Sequence, residues 1–268
     1  MIRIATLLIA CAVSAMAAAQ PIDAPAPAPA PAAVAEPAAP QAAPALATPV
    51  TPMTRELRPY DASYSFEAHG MTAGTSSFSL RRAGADEWTF VARNDPHGLF
   101  RLFSAASLTL TSRMKVGPQG VQPLLFTAAQ PDGSDQQAEV QFDWAAQRAT
   151  GTVEGNRIDM ALKPGVQDDQ SVQVALIYAL LGGHTPSGIA LFDKDGIRDY
   201  DYARIGEETL HTPMGDVATV VYESHKAYSP RRTRFWCAPQ YGYVPMRAEQ
   251  KRDSEVQWTM EIRSVQLK

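Results

Sequence analysis

The stretch Tyr60–Ala68, which reads YDASYSFEA, carries the pattern that decides the fold. Its apolar side chains occupy every second position, and Asp, Ser or Glu fill the positions between them. Successive side chains of an extended chain point to opposite faces. A period of two therefore predicts a strand with one buried face and one exposed face.

The same period continues on the C-terminal side of this stretch. Segments of alternating polarity run to residue 162 and again from residue 189 to residue 267, separated by turns rich in Gly, Pro, Asp and Asn. Turns spaced about 8 to 12 residues apart are typical of antiparallel barrels and sandwiches. We predict a mainly β domain of roughly a dozen strands, a single antiparallel meander that forms an open or closed barrel.

One segment breaks the alternation. Asp168-Asp169-Gln170-Ser171 precedes an apolar series spaced i, i+3, i+4, i+7 and i+8, and Gly182-Gly183 ends it. The members of the series are Val172, Ala175, Leu176, Ala179 and Leu180. Early carboxylates and terminal glycines favour a helix, which we expect to cover the apolar face of the sheet.

The N-terminal residues have a different composition. Residues 1–19 combine one cation, an apolar run and small residues at two candidate cleavage positions, which predicts a secretory signal peptide. Residues 20–53 are mostly Ala and Pro, which favour a disordered, extended linker, either a stalk or a tolerated tail. Every Phe, Tyr and Trp follows Thr54, so residues 54–268 form the β-rich domain.

The predicted signal peptide indicates where the protein is located. Cleavage of the signal peptide predicts export to the periplasm, and the uncharged run is shorter than the roughly 20 residues that a bilayer span needs. The alternative is a membrane-anchored lipoprotein, because Leu8-Ile9-Ala10-Cys11 resembles a lipoprotein cleavage box in which Cys11 would be acylated. In either case Cys237 is the one cysteine left in the domain.

Charge and motifs argue against several function classes. The formal net charge of -4 and the lack of a dense Lys/Arg run disfavour nucleic acid as a partner. The sequence shows no serine-hydrolase elbow, phosphate loop or dinucleotide fingerprint, so we predict no cofactor and no catalytic residue. The histidines lack paired metal-ligand spacing, so no metal site is predicted; they are His69, His97, His184, His211 and His225. Asp193-Lys194-Asp195-Gly196 fits a hairpin turn better than a calcium loop.

One cluster offers a candidate ligand site. Two neighbouring segments, joined by a predicted turn, carry guanidinium groups beside aromatic rings, and hairpin pairing would bring them together. The candidate ligand-binding residues are Arg232, Arg234, Trp236, Tyr243 and Arg247. Arginine binds planar anions and stacks on rings, which favours a carboxylate, a phosphate or a lipid headgroup. The alternative is cross-strand Arg–Glu pairing, with Glu223 and Glu249 as partners.

Three stretches together resemble a bacterial envelope family, domain of unknown function 3108. They are Tyr60–Phe66, Gln167–Ser171, and Arg234-Phe235-Trp236 followed by Tyr243–Glu249. The resemblance covers about residues 57 to 266. It implies an exported antiparallel β domain similar to the open-barrel lipid and lipoprotein carriers of the periplasm, and it implies no catalytic residues.

Three functional hypotheses follow. The first is a non-enzymatic binding or carrier module, in which the curved sheet and its helix enclose a lipid-like or amphiphilic ligand. The second is a structural or interaction protein of the envelope, which docks a protein partner through a sheet edge or the Arg/Tyr hairpin. An enzyme assembled from distant residues ranks third.

Overall fold

The computed structural model describes residues 56–97, 107–131 and 135–268. The predicted signal peptide (1–19), the predicted linker (20–53) and Cys11 lie outside the described residues. The elements, in chain order, are β1 (Tyr60–Ala68), β2 (Met71–Arg82), β3 (Glu87–Pro96), β4 (Leu108–Gly117), β5 (Gly120–Ala129), β6 (Gln136–Asp143), β7 (Arg148–Val153), β8 (Asn156–Ala161), α1 (Ser171–Leu181), β9 (Ile189–Asp193), β10 (Gly196–Thr212), β11 (Gly215–Lys226), β12 (Arg231–Ala238), a 3₁₀ turn (Pro239–Tyr241), β13 (Val244–Arg252) and β14 (Glu255–Leu267).

All the described strands belong to one sheet of 14 strands. Its spatial order is β8-β7-β6-β5-β4-β3-β2-β1-β14-β13-β12-β11-β10-β9, and the neighbours pair antiparallel. The first and last strands pair over their length, from Tyr60 opposite Leu267 to Ala68 opposite Trp258. Across the described ranges, the predicted antiparallel meander with one α-helix is confirmed.

Side chains hold the two edge strands, β8 and β9, near each other. Lys194, in the β9–β10 turn, contacts Glu154, in the β7–β8 turn, at 2.9 Å, and Lys163 contacts Asp199 at 3.1 Å. The free edge of β9 pairs through Gln167, whose N–H donates to Ala190 O at 2.8 Å. Among the described strands, β8 and β9 share no ladder, so the sheet forms an open barrel with a seam closed by side chains.

Apolar side chains at alternate strand positions fill the barrel interior, as the sequence predicts. In β1 the apolar positions are all buried, and the Tyr64 hydroxyl donates to Pro245 O at 2.9 Å. Aromatic side chains from adjacent strands then contact each other, with Tyr64–Phe78 centroids 4.9 Å apart and Phe78–Phe90 centroids 5.5 Å apart. Each such side chain buries about 150 to 250 Å² of surface, so these rings supply much of the core.

The helix α1 is more deeply buried than the sequence pattern indicates. Val172, Leu176 and Leu180 are buried as predicted, but Ala175 and Ala179 are half-buried, whereas Val174 and Ile177 are almost fully buried. The predicted single stripe is therefore wrong in detail. The helix packs against β4 and β5 at one end of the barrel and is apolar around most of its circumference.

A buried carboxylate connects the start of the helix to the sheet. Asp168 is 1% exposed, and its Oδ1 accepts from the backbone N–H groups of Gln170 and Ser171, both at 2.8 Å. Its Oδ2 accepts from the Ser112 hydroxyl of β4 at 2.7 Å. These bonds satisfy donors that a helix start leaves unpaired, and they fix α1 against the barrel.

Candidate functional site

The predicted arginine hairpin is formed by β12 and β13. The register places Arg234 opposite Glu249 and Trp236 opposite Arg247. Arg232, Arg234, Trp236 and Arg247 therefore lie together on the outer face of the sheet. Tyr243 is not with them, because it occupies the turn before β13 in a left-handed conformation (φ 63°) and packs against the core.

Carboxylates engage each of these guanidinium groups. Glu223 of β11 contacts Arg232 at 3.2 Å and Arg234 at 2.8 Å. Arg247 contacts Glu249 at 2.9 Å, and its guanidinium carbon lies 4.9 Å from the centroid of the Trp236 ring. The cross-strand Arg–Glu pairing considered as the alternative is thus present for Glu223, whereas Glu249 pairs with Arg247 of its own strand, β13.

A β-hairpin arm lies over this outer face. The arm comprises residues 206–219 of β10 and β11, beyond Val220, the first β11 residue that pairs with β12. It begins after a bulge at Ile205, whose side chain is 46% exposed, and a bulge bends a strand. At its base the Trp236 indole N–H donates to Glu208 Oε2 at 2.6 Å. This contact ties the arm to the predicted hairpin.

The tip of the arm borders an open groove on the sheet. This arm groove has a volume of about 790 Å³ and lies between Met214 and strands β1, β2, β3 and β14. Its lining residues are Asp61, Ala62, Ser63, Ser77, Phe78, Ser79, Arg81, Val91, Arg93, Met214, Ser264, Val265 and Gln266. Ligand sites of proteins commonly measure about 300 to 1,000 Å³.

Two kinds of charge line the arm groove. Asp61 contacts Arg81 and Lys268, each at 2.5 Å. Burial opposes ionisation of this carboxyl, but the hydrogen bonds and charges of Lys268 and Arg81 outweigh it and lower the pKa of Asp61. Arg93 is exposed and, within the described part of the chain, pairs with no carboxylate. The groove therefore presents a guanidinium that no carboxylate of the described residues neutralises, beside the apolar side chains of Val91 and Met214.

A smaller groove lies closer to the base of the arm. It measures about 270 Å³, and its charged lining residues are Glu208, Arg247 and Glu261. The buried Nε of Arg247 has no hydrogen-bond partner in the part of the chain that the structure describes, and Glu261 Oε1 is 3.7 Å away from it. Carboxylates outnumber the arginine here, so this groove is unsuited to an anion.

The other groups considered for chemistry, the Cys237 thiol and the Asp193–Gly196 segment, have structural positions. Cys237 is fully buried, and burial raises the pKa of its thiol, which keeps it protonated at neutral pH. The Asp193–Gly196 segment forms the β9–β10 turn, which confirms the hairpin interpretation. Among the residues described, no group of three His, Cys, Asp or Glu side chains could hold a metal ion. The described helix is also too short to cross a membrane.

The sequence interpretation missed the arm groove. The alternation predicts strands at Tyr200–Glu208 and Val217–Lys226, whereas β10 continues to Thr212 and β11 begins at Gly215, so both extend into the arm. The available signals were Gly206, the run of polar residues after it, and Pro213-Met214-Gly215. They indicate a long hairpin with little alternation, which has no core face along its length.

One solved structure supports the β-barrel description. A Brucella abortus β-barrel-like protein of domain of unknown function DUF1849 is similar at a TM-score of 0.51 and 12% identity, covering 79% of this chain and 98% of that one. A Bacteroides fragilis protein with a YmcC-like fold, predicted to be exported, gives a TM-score of 0.35 and 11% identity, with coverage of 78% and 96%. A predicted lipoprotein of Parabacteroides distasonis gives 0.35 and 9%, with the same coverage.

Family comparison agrees with the resemblance noted in the sequence. No curated protein matches this chain. The model of the family described as protein of unknown function (DUF3108) matches residues 59–260, which include β1, the helix and the β12–β13 hairpin. This chain therefore belongs to the DUF3108 family.

Proposed function

We propose that this protein is an exported, non-enzymatic binding module whose ligand is an amphiphilic anion bound in the arm groove. The observation that carries the proposal is Arg93, which pairs with no carboxylate in ranges 56–97, 107–131 and 135–268 and lies beside Val91 and Met214 in a groove of about 790 Å³. The guanidinium suits a phosphate or carboxylate, and the apolar side chains suit the first methylenes of an attached chain.

The proposal moves the ligand contact from the arginine hairpin to the arm groove. Arg232, Arg234 and Arg247 already pair with carboxylates, so an anion would have to displace Glu223 or Glu249. Arg93 requires no such exchange. The hairpin instead supports the arm through the Trp236–Glu208 bond. Export, with the periplasm as destination, rests on the N-terminal signal-like sequence.

The test compares two probes on two variants. Dodecyl phosphate supplies the anion and the chain, and dodecanol supplies the chain alone. A hydrogen bond to a charged group contributes about 1.5 to 3 kcal/mol, so Arg93→Gln should weaken dodecyl phosphate binding roughly 10- to 100-fold in calorimetric titration. Arg157→Gln is the matched control, because Arg157 is 85% exposed on edge strand β8.

The supporting and refuting outcomes of this titration differ. Weaker phosphate binding by Arg93→Gln, with unchanged dodecanol binding and an unaffected Arg157→Gln control, supports the proposal. Equal binding of dodecyl phosphate by Arg93→Gln and the unmodified protein would refute it.

The second candidate function is docking of an envelope protein. One observation favours it: β8 is an edge strand with mostly exposed side chains, and an unpaired edge can accept a strand from another protein. A photo-crosslinking amino acid at position 157 should then yield one stoichiometric adduct in cells. A ligand carrier without a fixed partner would give no discrete adduct.

A further inference from the structure

A row of polar side chains crosses the apolar interior of the barrel. It consists of one inward-facing residue from each of five adjacent strands, β10 to β14, in direct register: Tyr202, Ser224, Thr233, Gln250 and Trp258. We call this row the polar rung. Each of its members is at most 9% exposed. Burying polar groups is costly without hydrogen bonds, so each polar atom of the rung needs a partner.

Four members of the rung satisfy each other in pairs. Gln250 Nε2 donates to Thr233 Oγ1 at 3.2 Å, and Tyr202 shares a hydrogen bond with Ser224. The fifth member, Trp258, lies opposite Gln250, but the Gln250 amide N–H donates to Thr233 and makes no bond with the indole. Among the residues that the structure describes, the buried indole N–H of Trp258 has no hydrogen-bond acceptor, although its side chain is only 3% exposed. An indole nitrogen is a donor only, so its missing partner must be an acceptor.

The surroundings define the chemistry of that acceptor. The Trp258 ring faces Phe66 at a centroid distance of 6.3 Å, and its neighbour in register on β1 is Ala68. No member of the rung is charged, so an anion would enter a low-dielectric site without a counter-ion. A neutral oxygen on an apolar molecule avoids that penalty. Ala68 is the last residue of β1, so the rung lies near the β1–β2 turn.

We propose that the Trp258 Nε1–H group donates to the carbonyl oxygen of a neutral, apolar ester or amide bound at this end of the barrel. This site differs from the arm groove in both place and charge. The arm groove is on the outer face and offers a guanidinium, whereas the rung is on the inner face and offers one neutral donor. Ligand binding at either site can therefore be disproved without affecting the proposal for the other.

Nuclear magnetic resonance of the ¹⁵N-labelled full-length chain tests the proposal directly. The four tryptophans give four indole N–H signals, and Trp258→Phe assigns one by its loss. Methyl octanoate is the probe, and nonane, which lacks the carbonyl, is the matched control. We expect methyl octanoate to move the Trp258 signal downfield and nonane to leave its hydrogen-bond shift unchanged. The Trp236 signal is an internal reference, because its N–H already donates to Glu208.

Affinity supplies the second measurement. One neutral hydrogen bond contributes about 1 kcal/mol, so Trp258→Phe should bind methyl octanoate roughly fivefold more weakly and bind nonane as before. Phenylalanine retains an apolar ring and removes the unsatisfied donor, so the variant should fold.

Two results would overturn the proposal. One is a Trp258 signal that stays in place when methyl octanoate reaches its solubility limit. The other is a cross-peak from the Trp258 indole proton to a long-lived water in the free protein, because a resident water would already satisfy the donor. Failure of dodecyl phosphate to bind at Arg93 would leave this site unaffected.

Discussion

Replacement of Asp168 tests the connection between the helix and the barrel. Asp168→Ala removes the acceptor for three donors: the Ser112 hydroxyl and the N–H groups of Gln170 and Ser171. A buried donor without a partner costs roughly 1 to 3 kcal/mol. The Ser112 hydroxyl can rotate, but the two backbone donors cannot, so we expect a loss of about 3 to 5 kcal/mol in the free energy of unfolding.

Asp168→Asn is the matched variant. Its amide oxygen can still accept from both backbone N–H groups, and its NH₂ can donate to Ser112 Oγ. It also removes a carboxyl whose pKa is raised, since burial outweighs the hydrogen bonds from Ser112, Ser171 and Gln170. We therefore expect asparagine to change the free energy of unfolding by less than about 1 kcal/mol at pH 7.

The raised pKa of Asp168 determines whether this carboxyl stabilises or destabilises the protein as pH rises. The folded pKa of Asp168 lies above the ordinary value of 3.8, so the unfolded carboxyl ionises first as pH rises. This group's contribution to stability therefore falls between pH 3.8 and its folded pKa. The free energy of unfolding of Asp168→Asn, relative to that of the unmodified protein, should therefore be higher at pH 7 than at pH 4.

Urea unfolding followed by tryptophan fluorescence measures all three proteins at both pH values. The reasoning fails if Asp168→Ala stays within about 1 kcal/mol of the unmodified protein, or if the asparagine variant is as unstable as the alanine variant.

Three further predictions concern Cys237, Gly151 and Asp61. In a Cys11→Ser background the Cys237 thiol should resist Ellman's reagent in the folded protein and react fully in urea, and fast labelling without denaturant would contradict its burial. Gly151→Ala should cost about 2 to 4 kcal/mol of unfolding free energy, because φ is 151° and a Cβ would lie 2.0 Å from Glu139 O; an unchanged urea midpoint would refute this. The lowered pKa of Asp61 means that its stabilising contribution is complete above the unfolded value near 3.8 and is lost as pH falls through the folded value. Asp61→Asn should therefore destabilise the protein at pH 7 and have a smaller effect at pH 2, and equal losses at both pH values would disprove the ion pairing.

Local patterns made the strands and one hairpin predictable. The alternation in Tyr60–Ala68 required only adjacent residues, and the β12–β13 hairpin brought Arg234 and Arg247 onto one face because its strands are close in sequence. The burial of the helix was not predictable from spacing. A helix that is apolar on most sides has no single periodic stripe, so Val174 and Ile177 could not be told from half-buried Ala175.

The candidate site depended on contacts distant in sequence. Asp61, Arg93 and Met214 meet because β1 pairs with both β2 and β14 and because the arm returns over the sheet. The bulge at Ile205 bends the arm, and nothing in the alternation around it distinguishes a bulge from an ordinary strand position. The unsatisfied N–H of Trp258 likewise emerges only when five strands are in register.

The pairing of the first and last strands bears on how the chain folds. In the described sheet every ladder except β1–β14 joins strands that are consecutive in the chain, and Lys268 N donates to Pro59 O at 2.8 Å. A circular permutant that joins residue 268 to residue 59 and opens the chain between Leu181 and Ile189, at the unpaired seam, would make every ladder a pairing of consecutive strands. Because folding rates rise as contacts become more local, such a permutant should reach the same barrel faster than the natural chain order.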